Sequence, residues 1–475
     1  MVGEGTVDQG STIGSGRPLT PDAWVARSLY NRGVALGRLG RVEDEIRAYD
    51  EVARRFVTSS DPEVLETVAM ALCNKGVALS GLGRHEAAIR AYDEVLRRFT
   101  GSADRALLRW VAAALYDKGY ALGRQGRHDE EIIVYRELAG WETGEDPALE
   151  DWVSQAHYAW GVRLGGLGRL PEAIAVYDDL VGRFGTSTRP AVAVWVAAAL
   201  YNRALALGQL GRAEEELATY DQLVSRFQGT TDPQVLVWVA RALVRKGLTL
   251  GGLGRHHEEL AAYDEALRRL HGAAEPALLE VAAMALLDRG IRLGALGRLE
   301  DQLESYQEVV RRFGDATDPG LRRWVAAALY DRGVALAQAG RREEELAAYA
   351  EVADRCGDEA DLDLVEWAAR AGVNRAIALG EMGRREEEVA AYEEVIRRFG
   401  GLRRPTIEEL VARAAYNRAV RLGDLGRPEE EVAAYEEVMR RFPPPRRREP
   451  WRSPERPPLG ASLQRQWLRL RRWWG

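Results

Sequence analysis

One glycine returns ten times at a fixed interval: Gly40, Gly83, Gly126, Gly168, Gly211, Gly254, Gly297, Gly340, Gly383 and Gly426. Every interval is 43 residues except the 42 between Gly126 and Gly168. A period in this range is the mark of a stacked array, because a unit this short buries its apolar face only against its neighbours. The 475 residues therefore do not divide into three or so globular domains, as length alone would suggest. An array of this kind also offers a long surface in place of a single pocket.

One unit shows how the pattern folds. Asp318-Pro319 supplies an N-cap followed by proline in the first turn. The same pair stands at Asp61-Pro62, Asp146-Pro147 and Asp232-Pro233. Trp324, Ala328, Leu336 and Ala339 follow at helical spacing, which predicts a first helix of about 20 residues ending at the Gly340 turn. A second helix is predicted from Arg341. It opens on Glu343, Glu344 and Glu345, and most units close theirs on arginine, as at Arg397-Arg398 and Arg440-Arg441. Acids at the start and bases at the end complement the helix dipole, so the acidic runs read as solvated capping turns and not as cation sites.

Some positions hold one residue type throughout. Tyrosine fills a second-helix position from Tyr49 to Tyr435, and leucine fills a first-helix position from Leu36 to Leu422, in all ten units. Each such side chain contributes about 1.5–3 kcal/mol when buried, and both rows are assigned to the core. A near-constant glycine row (Gly37, Gly123, Gly208, Gly251 and others) sits inside the first helix, where glycine costs about 0.5–1 kcal/mol against alanine. Either helices approach closely there, or the floor of a groove is kept open.

The set Gly33, Leu36, Gly40, Ile46, Tyr49 and Val52, repeated tenfold, resembles the tetratricopeptide repeat (TPR) over about residues 20–442. The resemblance implies an all-α, right-handed α-solenoid of ten helix–turn–helix repeats. Residues 1–19 then form a disordered N-terminal segment, and 443–475 a Pro/Arg/Trp-rich basic tail. The period exceeds the 34 of the common form. The extra residues precede the usual start of the first helix, as in PEVLETVA, which resembles the long-helix variety of kinesin light chains and many bacterial TPR proteins.

The family usually places alanine where its two helices touch. Ala88 and Ala173 fit, but other units have Glu45, Glu131, Glu216, Glu259, Gln302, Glu345, Glu388 and Glu431. A basic row on the first helix, Arg32, Lys118, Arg203, Lys246 and onward, suggests a Glu–Arg ladder within each repeat.

The resemblance implies a non-enzymatic protein–protein interaction scaffold that binds a peptide or protein segment on its concave surface, which the first helices line. The polar row two residues before the small residue contains Asn31, Asn74, Asn202, Arg245, Asn374 and Asn417. An asparagine amide donates and accepts, which suits a peptide backbone; the same side chains would also serve simply to solvate the groove. Arg370 and Arg413 lie four residues before Asn374 and Asn417, on the same helix face, and resemble part of a carboxylate clamp.

Nothing in the sequence has the spacing of a catalytic site, a phosphate loop or a metal site, so no cofactor is expected. His85, His128 and His256 share one row and are whole repeats apart. Cys73 and Cys356 occupy rows that are apolar or aromatic elsewhere, which predicts buried free thiols. No basic-then-apolar leader opens the chain, and no run of 18 apolar residues lacks charge, so the expected location is the cytoplasm. Net charge is -7, but residues 443–475 carry nine Arg against two Glu, leaving -14 on the rest, which would repel nucleic acid. Plotted as a helix, the tail places Leu463, Trp467, Leu470 and Trp474 on one face and Arg465, Arg469 and Arg472 on another. Trp467, Arg469, Trp473 and Trp474 are the candidates for docking to an anionic membrane surface or an acidic partner, or for folding back in autoinhibition.

Overall fold

The computed structural model describes residues 19–144, 146–357 and 360–442. These form twenty α-helices and no strands among the described residues. The hairpins are α1 (Pro21–Arg38) with α2 (Val42–Arg55), α3 (Pro62–Gly81) with α4 (His85–Phe99), α5 (Arg105–Arg124) with α6 (His128–Ala139), and α7 (Pro147–Gly166) with α8 (Leu170–Phe184). Next come α9 (Pro190–Gln209) with α10 (Ala213–Arg226), α11 (Pro233–Gly252) with α12 (His256–Arg269), and α13 (Pro276–Ala295) with α14 (Leu299–Phe313). The last are α15 (Pro319–Gln338) with α16 (Arg342–Cys356), α17 (Leu362–Glu381) with α18 (Arg385–Phe399), and α19 (Pro405–Asp424) with α20 (Pro428–Arg441). The array divides into two compact units, one up to Val325 and one from Ala326.

The predicted caps form. Asp61 accepts from the Glu63 amide at 3.1 Å, Asp146 from Ala148 at 3.0 Å, and Asp232 from Gln234 at 2.8 Å. The ten turn glycines all adopt φ between 70° and 76°, a left-handed conformation that side chains with a Cβ rarely take. Helix α9 is long and apolar enough to pass for a membrane span, but Val192, Val196, Leu200 and Leu207 on it are buried against neighbouring helices.

Within the first unit, consecutive first helices pack on one another from α1 to α13, and α17 packs on α19 in the second. Successive second helices are tied by arginine. Arg98 donates to the Ala53 carbonyl at 3.3 Å, and Arg183 to the Ala139 carbonyl at 2.8 Å, satisfying groups that a helix C-terminus leaves open. The tyrosine row is core as expected: Tyr49, Tyr92, Tyr220, Tyr263, Tyr306, Tyr349 and Tyr392 are among the largest fully buried side chains. Each ring lies over the small residue of its own first helix, and a Cβ built on Gly33 would come within 2.5 Å of the Tyr49 ring. Cys73 and Cys356 are buried and free.

The Glu–Arg ladder within repeats does not form. Most of the basic row turns to the preceding repeat: Lys75 meets Asp50 at 2.5 Å, Lys118 meets Asp93 at 2.6 Å, Arg203 meets Asp178 at 2.6 Å, and Arg289 meets Asp264 at 2.8 Å, while Arg32 and Arg375 approach Glu51 and Glu394 of their own repeats only at 3.9 Å. The glutamates turn to the following one: Glu131 meets Arg163 at 2.6 Å, Glu259 meets Arg292 at 2.5 Å, and Glu388 meets Arg421 at 2.7 Å. These carboxylates lie across the glycine row, and a Cβ on Gly251 would stand 2.5 Å from the Glu259 carboxylate. Close approach therefore accounts for the glycines that face a glutamate or glutamine, while a Cβ on Gly165, opposite Ala173, would meet nothing within 4 Å. A third ladder runs along the hairpin turns, with Arg84 on Glu43 at 2.9 Å and Arg127 on Glu86 at 3.2 Å. These three ladders staple neighbouring repeats together, beside the many i,i+3 and i,i+4 pairs within single helices.

Candidate functional site

Within each of the two units the first helices carry the same rows of side chains. An aromatic row supplies Trp152, Trp195 and Trp238, and seven residues later comes the Asn/Asp/Arg row. Each indole lies beside a tyrosine of the preceding repeat: Tyr116–Trp152 at 5.6 Å between ring centroids, Tyr158–Trp195 at 5.3 Å, and Tyr201–Trp238 at 5.4 Å. Arg241 lies over the Trp238 ring at 5.2 Å. A Tyr–Trp pair therefore joins each first helix to the next from α5 to α11, with a cation over the last indole.

The polar row is partly engaged inside the fold. Asn74 donates to the Tyr30 hydroxyl at 2.9 Å, Asn202 to Tyr158 at 3.2 Å, Asn374 to Tyr330 at 2.9 Å, and Asn417 to Tyr392 at 3.2 Å. Arg245 holds the equivalent place beside Tyr201, and where the row is alanine, at Ala159, Gln155 stands one turn earlier near Tyr116. Asn31, which has no repeat before it, is exposed. Asn74, Asn202 and Asn417 each keep the carbonyl oxygen and one N–H, while Asn374 also donates to the Tyr349 hydroxyl at 3.4 Å and keeps only its carbonyl oxygen.

Where the aligned residue of the preceding repeat is not tyrosine, the row holds aspartate, except that Asn417, which follows Val373, turns to Tyr392 instead. Asp117 follows Cys73, and Asp331 follows Leu287 in the aligned row. Burial pushes both carboxyls up, each to about 7.

Of the two arginines in the clamp-like pairs, Arg370 is joined to Glu366 on its own helix, and Glu366 also accepts from Thr406 at 2.6 Å. Arg413 is exposed. The tail residues Trp467, Arg469, Trp473 and Trp474 lie outside the described residues. No group of three or more His, Cys, Asp or Glu side chains is placed to hold a metal ion among the described residues.

One further row is visible only in the structure. Three residues after the polar row stand Val34, Val77, Tyr120, Val162, Leu205, Leu248, Ile291, Val334, Ile377 and Val420. All ten are apolar, yet Val77, Tyr120 and Val162 are 50%, 41% and 43% exposed. The sequence carries a signal for it, a uniformly apolar row beside a polar one, but periodicity alone assigns such a row to the core.

Stacked two-helix units with a glycine turn, a buried tyrosine and a small residue beneath it define a helical-hairpin repeat protein. The Tetratricopeptide repeat profile matches residues 73–148 and 158–233, and the matched rows recur in every unit. Those two stretches are tetratricopeptide repeats, and the other hairpins are similar to them row by row. Among solved structures it is similar to an engineered protein at 17% identity and a TM-score of 0.46, over 83% of this chain and 94% of that one. It is also similar to the apo form of RapI at 12% identity and a TM-score of 0.41, over 88% and 98%. A tetratricopeptide repeat protein from Parabacteroides merdae matches at 14% identity and a TM-score of 0.34, over 64% and 98%. No curated protein matches the sequence.

Proposed function

We propose that this chain is a non-enzymatic scaffold that binds an extended peptide or protein segment along the face of its first helices. The observation that carries the reading is the row of part-exposed apolar side chains at Val77, Tyr120 and Val162, beside a polar row that retains unused amide groups. A contiguous exposed apolar row is costly to leave in water and marks a contact surface. In this reading Asn31, Asn74, Asn202, Asn374 and Asn417 contact the backbone of the bound segment, while Arg245, Arg370 and Arg413 favour acidic positions in it.

The test is affinity capture from the source cell with mass spectrometry, comparing the wild type with Val77→Asp/Val162→Asp. Both positions are exposed, so the variant keeps its core. Loss of the same proteins from the variant supports the reading. An unchanged set of captured proteins rejects it.

A further inference from the structure

The two ends of the array differ in how they meet water. In the first repeat Ser28 is exposed where the other nine carry a fully buried alanine, from Ala71 to Ala414. The last repeat has no such adaptation. Val432 on α20 is 58% exposed, whereas its nine counterparts, from Ile46 to Val389, are 4–9% exposed. Met439, seven residues on along the same side of α20, is 62% exposed, and Tyr416 on α19 is 54% exposed.

The ladders also stop short. The counterparts of Glu429 are Glu43, Glu86 and Glu386, which receive Arg84, Arg127 and Arg427. In the row of Glu431, Glu131, Glu259 and Glu388 receive Arg163, Arg292 and Arg421, while Glu345 takes Arg342 from its own helix and Glu216 the Thr249 hydroxyl. The counterparts of Glu436 include Asp50, Asp221 and Glu393, which receive Lys75, Lys246 and Arg418. Apart from Arg342, each of these cations comes from the following repeat. Glu429, Glu431 and Glu436 form no ion pair with another described residue, because no repeat comes after them. The face left over is apolar at its centre and anionic around it.

The sequence that continues from this face has the opposite character. Residues 443–475 carry nine arginines and two glutamates, with leucines and tryptophans between them. The proline-rich stretch 443–458, at about 3.1 Å per residue, reaches roughly 50 Å. The 14-residue α20 is about 21 Å long, so the segment beyond residue 458 has ample length to return along it. A second copy docked by the same face would set Glu429, Glu431 and Glu436 against their own duplicates. A second copy docked by its first repeat would bring the polar Ser28 against Val432.

We propose that residues 443–475 cap the array, laying Leu463, Trp467 and Leu470 against Val432, Met439 and Tyr416 and bringing arginines to Glu429, Glu431 and Glu436. The cap stands in for an eleventh repeat and is independent of what the first-helix face binds. Arrays of this kind need a terminal element that shields the last unit's packing face.

The test is hydrogen exchange by mass spectrometry on the full-length chain, over a range of protein concentrations and with mass followed by light scattering. Wild type is compared with Trp467→Glu/Leu470→Glu and with Glu429→Arg/Glu436→Arg. Residues 405–441 are expected to exchange at least tenfold faster in both variants, with α1–α13 unchanged and the wild type monomeric. Exchange of 405–441 that is equal in all three chains overturns the proposal. Protection that grows with concentration as the mass doubles also overturns it, and assigns the face to a second copy. Loss of binding to anionic vesicles in Trp467→Glu/Leu470→Glu, with exchange at 405–441 unaltered, overturns it in favour of a membrane contact.

Discussion

Removing Arg292 should cost much more than removing the glutamate it holds. The Glu259 side chain is 3% exposed and the Arg292 side chain 25%, at 2.5 Å across the joint between α12 and α13. Arg292→Ala strands a buried carboxylate. A broken buried pair costs about 3–5 kcal/mol. Here the value belongs at the lower end, near 3 kcal/mol, because the Tyr263 hydroxyl at 3.2 Å and His256 at 3.4 Å still face the carboxylate. Glu259→Ala leaves a guanidinium that swings into water, at about 1 kcal/mol. The double variant reproduces an arrangement the chain already uses twice, Ala88 with Ala121 and Ala173 with Ala206, all buried. It should therefore fall near the milder single variant, giving a coupling of about 2 kcal/mol or more. That is roughly a 30-fold difference in the local opening constant. Long repeat arrays unfold in more than one step, so hydrogen exchange at α12 and α13 is the proper assay, not one global midpoint. Additive single effects, or an Arg292→Ala cost no larger than that of Glu259→Ala, would refute the buried-pair argument.

Three further outcomes are expected from buried groups. Asp331 has its folded pKa raised to about 7, above the unfolded carboxyl value, so at intermediate pH the unfolded chain binds fewer protons and the folded state loses stability as pH rises from about 4 to 7. Asp331→Asn should melt at nearly the wild-type temperature near pH 4 and progressively higher toward pH 8; a difference that ignores pH would reject the assignment. His157 occupies a row that is leucine at Leu115, Leu200 and Leu243, with its ring nitrogens 2.9 Å from the Val153 carbonyl and 2.9 Å from an Asp179 carboxylate oxygen. His157→Leu should leave stability unchanged or raise it by about 1 kcal/mol, because leucine already fits this row and Asp179, 66% exposed, returns to water; in urea unfolding, a loss above about 2 kcal/mol would contradict this. Cys73 and Cys356 are buried, and burial pushes the Cys73 thiol up. Both should react with an aromatic disulfide reagent only as fast as the chain opens, and rapid labelling of the native protein would show that the first-helix packing is looser than described.

How much of this the sequence discloses depends on whether a contact lies within one repeat or between two. Helix ends and turns are local, so Asp61, Pro62 and Gly40 announce them directly. The tyrosine row is legible because one residue type at one phase of a helix has to be core. The ion pairs are not legible in this way: Glu259 and Lys246 belong to the same repeat, and their opposite charges suggest a pair that does not form. In the structure Glu259 goes forward to Arg292 and Lys246 goes back to Asp221. The asparagine row looks like a row of free amides for a related reason: its partner hydroxyls, Tyr30 for Asn74 and Tyr158 for Asn202, are 44 residues away.

A correlation in the sequence does carry the forward pairing. A cation or a hydroxyl stands at Arg163, Thr249, Arg292 and Arg421, one joint after Glu131, Glu216, Glu259 and Glu388. Alanine stands at Ala121 and Ala206, one joint after Ala88 and Ala173. Glu45 and Glu345 break the rule, with Ala78 and Ala378 after them; for Glu345, Arg342 on its own helix supplies the cation at 2.7 Å, whereas burial pushes the Glu45 carboxyl up. Such a pattern becomes a contact map only when it is known that each first helix lies on the second helix before it. At spacings of 32 and 33 residues it has no meaning for a single helix or a single hairpin. The repeat length tells how many units exist; the residues that change together from one unit to the next tell which faces touch, and the last unit, where Glu429, Glu431 and Glu436 have nothing to change with, is where the array still asks for a partner.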